Sequence, residues 1–161
     1  MAVFEIAAKF TLTSEGGYAD SKTDLGGETN FGISKRAYPD VDIKALTREK
    51  ALVIYKRDYW DKYRISEIND QYVANQVFDM VFNMNASKAV ACVQRAVRTL
   101  YKIDGIIGSE TIRAINSCNP VFLLDSIRVE RMRHYLRRIT ENKTQLVNMP
   151  SWTRRSLENY T

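Results

Sequence analysis

Apolar residues recur at helical spacing along most of the chain, and this pattern predicts a mainly helical protein. The first predicted helix covers residues 3–14 and ends at Gly16-Gly17, because a glycine pair is a strong stop for a helix. The helix that follows Asn69 or Asp70 has the widest apolar stripe, so we expect it to be the central buried helix. The other predicted helices cover about residues 47–59, 86–100, 109–115 and 119–139, and a short last helix begins near Pro150.

The predicted helix starts carry residue types that cap helices. Thr47 and Asn119 have side-chain oxygens that can accept hydrogen bonds from the first free backbone N–H groups, and Ser109 can do the same. Pro120 follows Asn119, and proline is tolerated in the first turn of a helix. These signals predict where the later helices begin.

The stretch between Glu15 and Ser34 breaks the helical pattern, because it holds five of the seven glycines of the chain. Glycine allows positive φ but penalises a regular helix, so this stretch predicts a tight loop or a small β-hairpin. The loop also carries two carboxylates, Glu15 and Asp24, and the hydroxyl of Thr29. Two acids on opposite sides of such a loop are what cleavage of a glycosidic bond requires.

The surroundings of the two acids predict different roles for them. Glycoside hydrolysis needs one carboxyl that stays protonated and one that stays ionised. Glu15 follows an apolar helix, whose carboxyl end and partial desolvation favour the protonated form, so it is the candidate acid. Asp24 lies in a polar loop and is the candidate ionised partner, and Thr29 can hold a water molecule together with it.

The residues around these acids resemble the signature of glycoside hydrolase family 108, a family of bacterial and phage N-acetylmuramidases with a lysozyme-like fold. The matching motif reads Glu15-Gly16-Gly17-Tyr18, then Asp24-x-Gly26-Gly27-x-Thr29-Asn30-x-Gly32-Ile33. The order Glu, Asp, Thr also resembles the catalytic triad of phage lysozymes, with one residue fewer between Asp and Thr. A later motif, Asp104-Gly105-x-x-Gly108-x-x-Thr111, looks like the predicted peptidoglycan-binding segment that follows in this family.

The resemblance implies a mainly α (α+β, lysozyme-like) fold, a helical bundle with a small glycine-rich loop or β-hairpin region near the amino terminus. It implies a catalytic segment at 1–86 and a helical peptidoglycan-binding segment at 87–161, which we expect to pack together as one compact unit. It also implies cleavage of the β-1,4 bond between N-acetylmuramic acid and N-acetylglucosamine. Glu15 would be the acid, and Asp24 with Thr29 would hold the water for an inverting displacement.

Four further residues are candidates for binding the substrate. Tyr18 and Phe31 are aromatic residues of the loop that can stack on sugar rings, and Asn30 belongs to the same motif. Asn83 lies at the end of the predicted central helix and can bind an acetamido group, although a helix C-cap is an equal alternative. Trp60 is better explained as a core residue.

The counts of metal-binding residues exclude several classes of enzyme. The chain has one histidine, His134, and two cysteines, which rules out a histidine-based triad, a multi-histidine metal site and a tetrahedral zinc site. Cys92 lies in an apolar helical run and is most simply a core residue. No phosphate loop or dinucleotide fingerprint occurs, so we expect no metal and no cofactor.

The formal net charge of +5, concentrated in the arginines between 128 and 138, favours an anionic partner. A solvated helix face explains the arginines equally well. We expect bacterial peptidoglycan as the partner, no nucleic acid and a monomer. The amino terminus is a poor signal peptide and no apolar stretch could cross a bilayer, so we expect synthesis in the (host) bacterial cytoplasm and holin- or export-dependent release, as for a phage endolysin.

Two other functions fit parts of the sequence. A lytic transglycosylase acts on the same substrate with one acid, but it does not need the water-holding Asp24 and Thr29. A non-catalytic basic module that binds the wall or nucleic acid would use the arginines, but it leaves the Glu-Asp-Thr arrangement and the glycines unexplained.

Overall fold

The computed structural model describes residues 1–13, 17–20, 27–98 and 102–157. Glu15 and Asp24 lie outside these residues. Seven α-helices are present in the described part of the chain: α1 (Phe4–Thr13), α2 (Arg48–Tyr55), α3 (Gln71–Asn83), α4 (Ala86–Ala96), α5 (Ser109–Ser117), α6 (Pro120–Glu141) and α7 (Met149–Leu157). Three short strands, β1 (Ala19–Asp20), β2 (Glu28–Asn30) and β3 (Ile33–Ser34), form one antiparallel sheet. The predicted fold class, mainly α with a small hairpin region near the amino terminus, is confirmed.

The observed helix starts follow the predicted capping residues with one exception. Thr47 accepts a hydrogen bond from Lys50 N, and Asn119 accepts from two backbone N–H groups at the start of α6. Asp70, rather than Asn69, caps α3. The prediction that Ser109 caps α5 is wrong, because the cap position falls on Gly108 and the Ser109 hydroxyl accepts a hydrogen bond from Arg64 Nη1 at 3.1 Å.

The predicted helix 47–59 is interrupted. Regular α-helix ends at Tyr55, and residues Lys56–Asp61 continue as a π-helix. The wider turn accompanies a buried position for Trp60, whose ring packs edge-to-face against Phe4 and Phe78 at centroid distances of 5.7 Å each. This aromatic cluster joins α1, the π-helix and α3, and confirms that Trp60 is a core residue.

The prediction of a central buried helix is confirmed for α3, where every residue from Val73 to Val81 is buried. The buried stretch includes the polar residues Asn75, Gln76 and Asp79. Asp79 has a carboxylate, and an ionised carboxylate in a core needs a partner. The partners are two arginines of the carboxyl-terminal half, Arg131 and Arg155.

The carboxyl-terminal half is built on α6. Helices α4 and α6 pack antiparallel to each other. The end of α4 lies beside the start of α6, and Lys88, near the start of α4, is close enough to His134 for its charge to lower the pKa of the imidazole. Trp152 of α7 stacks on Tyr135 of α6 with ring centroids 4.5 Å apart and planes inclined by 12°, and this contact anchors the last helix to α6. Arg131 is fully buried, so the arginines of α6 are not all on a solvated face.

Helix α4 ends at Ala96, earlier than the predicted Leu100. Arg98 has φ of 48°, a left-handed conformation that is uncommon outside glycine and that does not continue a right-handed helix. Cys92 of α4 is buried, as predicted, and burial raises the pKa of its thiol.

Candidate active site

The candidate site is organised around the middle strand of the sheet. In β2, Thr29 pairs with Ala19 of β1 on one side and with Ser34 of β3 on the other. Strands β2 and β3 are joined by the two-residue turn Phe31-Gly32, in which both residues have positive φ, 50° and 69°. This is the sign that a type I′ hairpin turn requires, and glycine at the second position takes it without strain.

The hydroxyl of Thr29 is loosely held. Among the described residues, its hydrogen bond is a 3.4 Å contact in which Oγ1 donates to the carbonyl of Gly27. A contact of that length is weak, so the hydroxyl can exchange it for a water molecule without a large cost. The other two predicted catalytic residues, Glu15 and Asp24, lie outside the described residues.

Tyr18 lies directly before β1 and is exposed beside the sheet. Its hydroxyl donates to Glu28 Oε1 at 2.9 Å, and this hydrogen bond raises the pKa of the Tyr18 phenol. Glu28 therefore orients the predicted sugar-stacking residue. Glu28 is not part of the sequence motif, although it is a third acid in the same loop.

Asn30 is buried and holds the sheet to the following loop. Its Nδ2 donates to the carbonyls of Ile43 at 3.1 Å and Leu46 at 3.4 Å. Asn30 was predicted to bind substrate, but this position gives it a structural role, because its amide donor is used inside the protein. The adjacent Phe31 is half-buried against the core, and its carbonyl accepts a hydrogen bond of 2.6 Å from the Tyr55 hydroxyl.

Asn83 belongs to a different structural element from the other candidates. The structure brings Tyr18, Thr29, Asn30 and Phe31 together in and beside the sheet, whereas Asn83 is exposed at the end of α3. Its Nδ2 donates to the carbonyl and to the carboxylate Oδ1 of Asp79, at 3.1 and 2.8 Å. The C-cap position is Met84, so the alternative prediction that Asn83 is the C-cap is wrong by one residue.

The later motif, Asp104-Gly105-x-x-Gly108-x-x-Thr111, builds a turn before α5. The buried Gln94 of α4 donates from Nε2 to Asp104 Oδ1 at 3.0 Å and accepts from Gly105 N at 3.0 Å. The hydrogen bond from Gln94 lowers the pKa of Asp104. These hydrogen bonds give the motif a structural role, because they hold the turn before α5 against α4.

Neither a metal-binding cluster nor a membrane-spanning helix is found among the described residues. They contain no group of three or more histidine, cysteine, aspartate or glutamate side chains arranged to hold a metal ion. None of their helices combines the length and the apolar character that crossing a bilayer would need.

The architecture defines the class as a mainly α protein with a small antiparallel sheet that carries the candidate site. Residues 8–84 match the family model described as glycosyl hydrolase 108, and residues 88–157 match the model described as predicted peptidoglycan domain. Residues 8–84 of the chain thus belong to the glycosyl hydrolase 108 family, and the chain continues with a predicted peptidoglycan segment. The protein is a glycoside hydrolase that acts on peptidoglycan.

A solved structure supports the same assignment. The structure of Brucella abortus SagA is similar to this chain, with 27% sequence identity and a TM-score of 0.79. The match covers 95% of this chain and 88% of that chain, so the similarity includes both halves. A comparison with curated proteins gave no match.

Proposed function

We propose that the protein is an N-acetylmuramidase that hydrolyses the β-1,4 bond between N-acetylmuramic acid and N-acetylglucosamine. The observation that carries the proposal is the glycosyl hydrolase 108 match over residues 8–84, which includes Glu15, Asp24 and Thr29. The loosely held Thr29 hydroxyl on the middle strand supports a water-binding role for that residue.

In the proposed mechanism, hydrolysis is a single inverting displacement. Glu15 protonates the leaving glycosidic oxygen, while Asp24 accepts a proton from a water molecule that attacks the opposite face of the sugar. The Thr29 hydroxyl holds the same water. An inverting site separates its two carboxyl groups by roughly 6.5–9.5 Å, which leaves room for that water.

Among the predicted substrate contacts, Tyr18 is supported best. Its ring is exposed, and the hydrogen bond to Glu28 limits its orientation, so it can stack on a sugar ring beside the sheet. Phe31 and Asn83 remain proposed contacts. Asn30 acts as a positioning residue, since its side chain holds the loop that follows the sheet.

We also propose a role in bacterial cell-wall lysis, as for a phage endolysin. The protein would act as a monomer and reach the wall from the cytoplasm through a holin or an export system. The net charge of +5 supports attraction to the acidic polymers of the wall. Co-expression with and without a holin, followed by the turbidity of the culture, would test the release route.

Substitution of the proposed acid tests the function. Glu15→Gln keeps the size of the side chain but cannot donate the proton, so we expect lysis of purified cell walls to fall by about a hundredfold or more. Glu5→Gln is the matched control, because Glu5 is exposed on α1. Equal lysis by Glu15→Gln and wild type would remove the assignment of the acid.

The products distinguish the second candidate activity. A lytic transglycosylase would release 1,6-anhydro ends, which are lighter by one water than the ends left by hydrolysis. Anhydro ends in the mass spectrum would therefore replace the muramidase proposal.

A further inference from the structure

A groove with a volume of about 720 Å³ lies in the carboxyl-terminal half, between the end of α4, the turn before α6 and the first half of α6. Its wall is partly apolar, with Val97 and Leu123 beside the side chains of Phe122 and Val129. Phe122 is 74% exposed and Val129 50% exposed. The groove is therefore a surface on which apolar area is available to a ligand.

Two cations on the rim of this groove have no acidic partner among the described residues. The groove is also lined by Glu130 and Asp125, but Glu130 is bonded to Arg133 at 2.6 Å and Asp125 to Arg128 at 3.2 Å. Arg95 and Arg98 are exposed, and no acidic side chain among the described residues pairs with their positive charges. Their guanidinium groups give the groove a net positive charge and suit carboxylates, which arginine can bind with two parallel hydrogen bonds.

The backbone of Arg98 provides an independent signal. Its φ of 48° lies in the left-handed region, at a position after a helix where glycine is the usual residue. Such strained residues cluster at binding and catalytic sites. Glycine would adopt this positive φ with less strain than arginine. The arginine at this position is therefore explained by its side chain and not by the backbone conformation.

We propose that this groove binds the acidic stem peptide of peptidoglycan. The proposal rests on the proposed function, since it names the part of that substrate which the carboxyl-terminal segment holds. Stem peptides combine several free carboxylates with methyl-sized side chains. The carboxylates would bind Arg95 and Arg98, and the alkyl groups would contact Phe122 and Val129. The hydrolase half would then receive glycan strands from a wall that the second half already holds.

Calorimetric titration with an N-acetylated stem pentapeptide containing diaminopimelate tests the proposal. We expect the wild-type chain to bind it and Arg95→Gln to weaken the affinity by roughly tenfold, because a charge-assisted hydrogen bond is lost. Arg113→Gln is the matched control, since Arg113 is exposed on α5 outside the groove. A peptide whose glutamate carboxylate is amidated should bind more weakly to the wild type.

Arg98→Gly separates binding from folding. Because glycine accepts positive φ, we expect this variant to keep or raise its midpoint of thermal unfolding while its affinity for the pentapeptide also falls by roughly tenfold. A lower midpoint together with unchanged affinity would assign Arg98 to folding and contradict the proposal.

Two results would overturn the groove as a stem-peptide site. One is an absence of pentapeptide binding, or equal affinity in wild type, Arg95→Gln and Arg98→Gly. The other is displacement of the peptide by a short oligonucleotide that binds more tightly, which would make the groove a nucleic-acid site. The proposed function is tested separately with glycan strands from which the peptides have been removed. Hydrolysis of these strands by the wild type does not depend on the groove, because the substrate has no peptide to place there.

Discussion

The carboxylate of Asp79 and the guanidinium of Arg131 form a fully buried ion pair, with 2.6 Å between Oδ2 and Nη2. Arg155 donates to the other carboxylate oxygen at 3.2 Å, and Asn83 donates to the same oxygen at 2.8 Å. Asp79 belongs to α3 in the hydrolase segment, whereas the two arginines belong to α6 and α7. The ion pair therefore joins the two family segments inside one core.

Replacement of the shared carboxylate should destabilise both halves together. In Asp79→Asn, two buried or nearly buried guanidinium groups lose their counter-charge, so we expect the free energy of unfolding to fall by roughly 3–5 kcal/mol. Urea denaturation followed by circular dichroism measures the change. Asp125→Asn, which alters an ion pair of α6 whose carboxylate is exposed, should cost at most about 1 kcal/mol. Similar costs for the two variants would show that the buried pair does not hold the segments together.

The turn before α5 contains a glycine that leaves no space for a side chain. Gly105 has φ of 74°, and a Cβ at this position would overlap the Ser87 side chain and lie 2.7 Å from the Ser87 carbonyl oxygen. We expect Gly105→Ala to lower the free energy of unfolding by about 2 kcal/mol or more. Gly108→Ala in the same turn meets no atom within 4 Å and should cost at most about 1 kcal/mol. Thermal denaturation of the two variants would contradict this account if their midpoints were equal.

Substitutions of two adjacent residues of β2, Thr29 and Asn30, should have different effects, the first on the rate of hydrolysis and the second on stability. Thr29→Ala removes a weakly bonded hydroxyl, so we expect little change in unfolding but a loss of roughly tenfold or more in the rate of peptidoglycan hydrolysis. Thr29→Ser keeps the hydroxyl and should restore most of the rate. Asn30→Ala removes hydrogen bonds to two carbonyls and should cost about 1–3 kcal/mol of unfolding free energy. Normal hydrolysis by a stable Thr29→Ala protein would exclude Thr29 from the mechanism.

The single histidine should make stability depend on pH. Burial lowers the pKa of His134, and the nearby Arg138, Arg137 and Lys88 act in the same direction, whereas Glu141 opposes them. Between this lowered pKa and the ordinary value of about 6.5, the unfolded chain binds more protons than the folded one. Stability should therefore fall as the pH is lowered through this range.

His134→Gln is the control for that dependence. Urea denaturation at pH 8 and pH 5.5 should show a larger loss of stability in the wild type than in the variant. Equal losses would mean that His134 titrates alike in the folded and unfolded chains.

Much of the fold could be predicted from short-range signals. The apolar stripe predicted the buried α3, and Thr47 and Asn119 begin helices because their side chains cap the backbone next to them. The π-helix at Lys56–Asp61 could not be predicted in this way, since it depends on the packing of Trp60 against residues distant in sequence. The burial of Arg131 depends in the same way on Asp79, which is 52 positions away.

The candidate site was predictable to a smaller extent. A motif names residues, but it does not separate those that contact a ligand from those that hold the loop. Asn30 illustrates this, because its amide reaches Ile43 and Leu46, which no pattern near Asn30 indicates. Glu28 lies outside the motif, and its sequence neighbours do not indicate the hydrogen bond that it accepts from Tyr18, ten residues earlier.

Hydrolysis of the muramyl bond with inversion can be checked on the first product that the enzyme forms. Purified peptidoglycan would be digested briefly with the wild type, and the new reducing sugar identified by mass spectrometry, with its anomeric form followed by NMR. We expect N-acetylmuramic acid at the new reducing end, released first as the α anomer. A reducing N-acetylglucosamine, an anhydro end or an initial β anomer would contradict it.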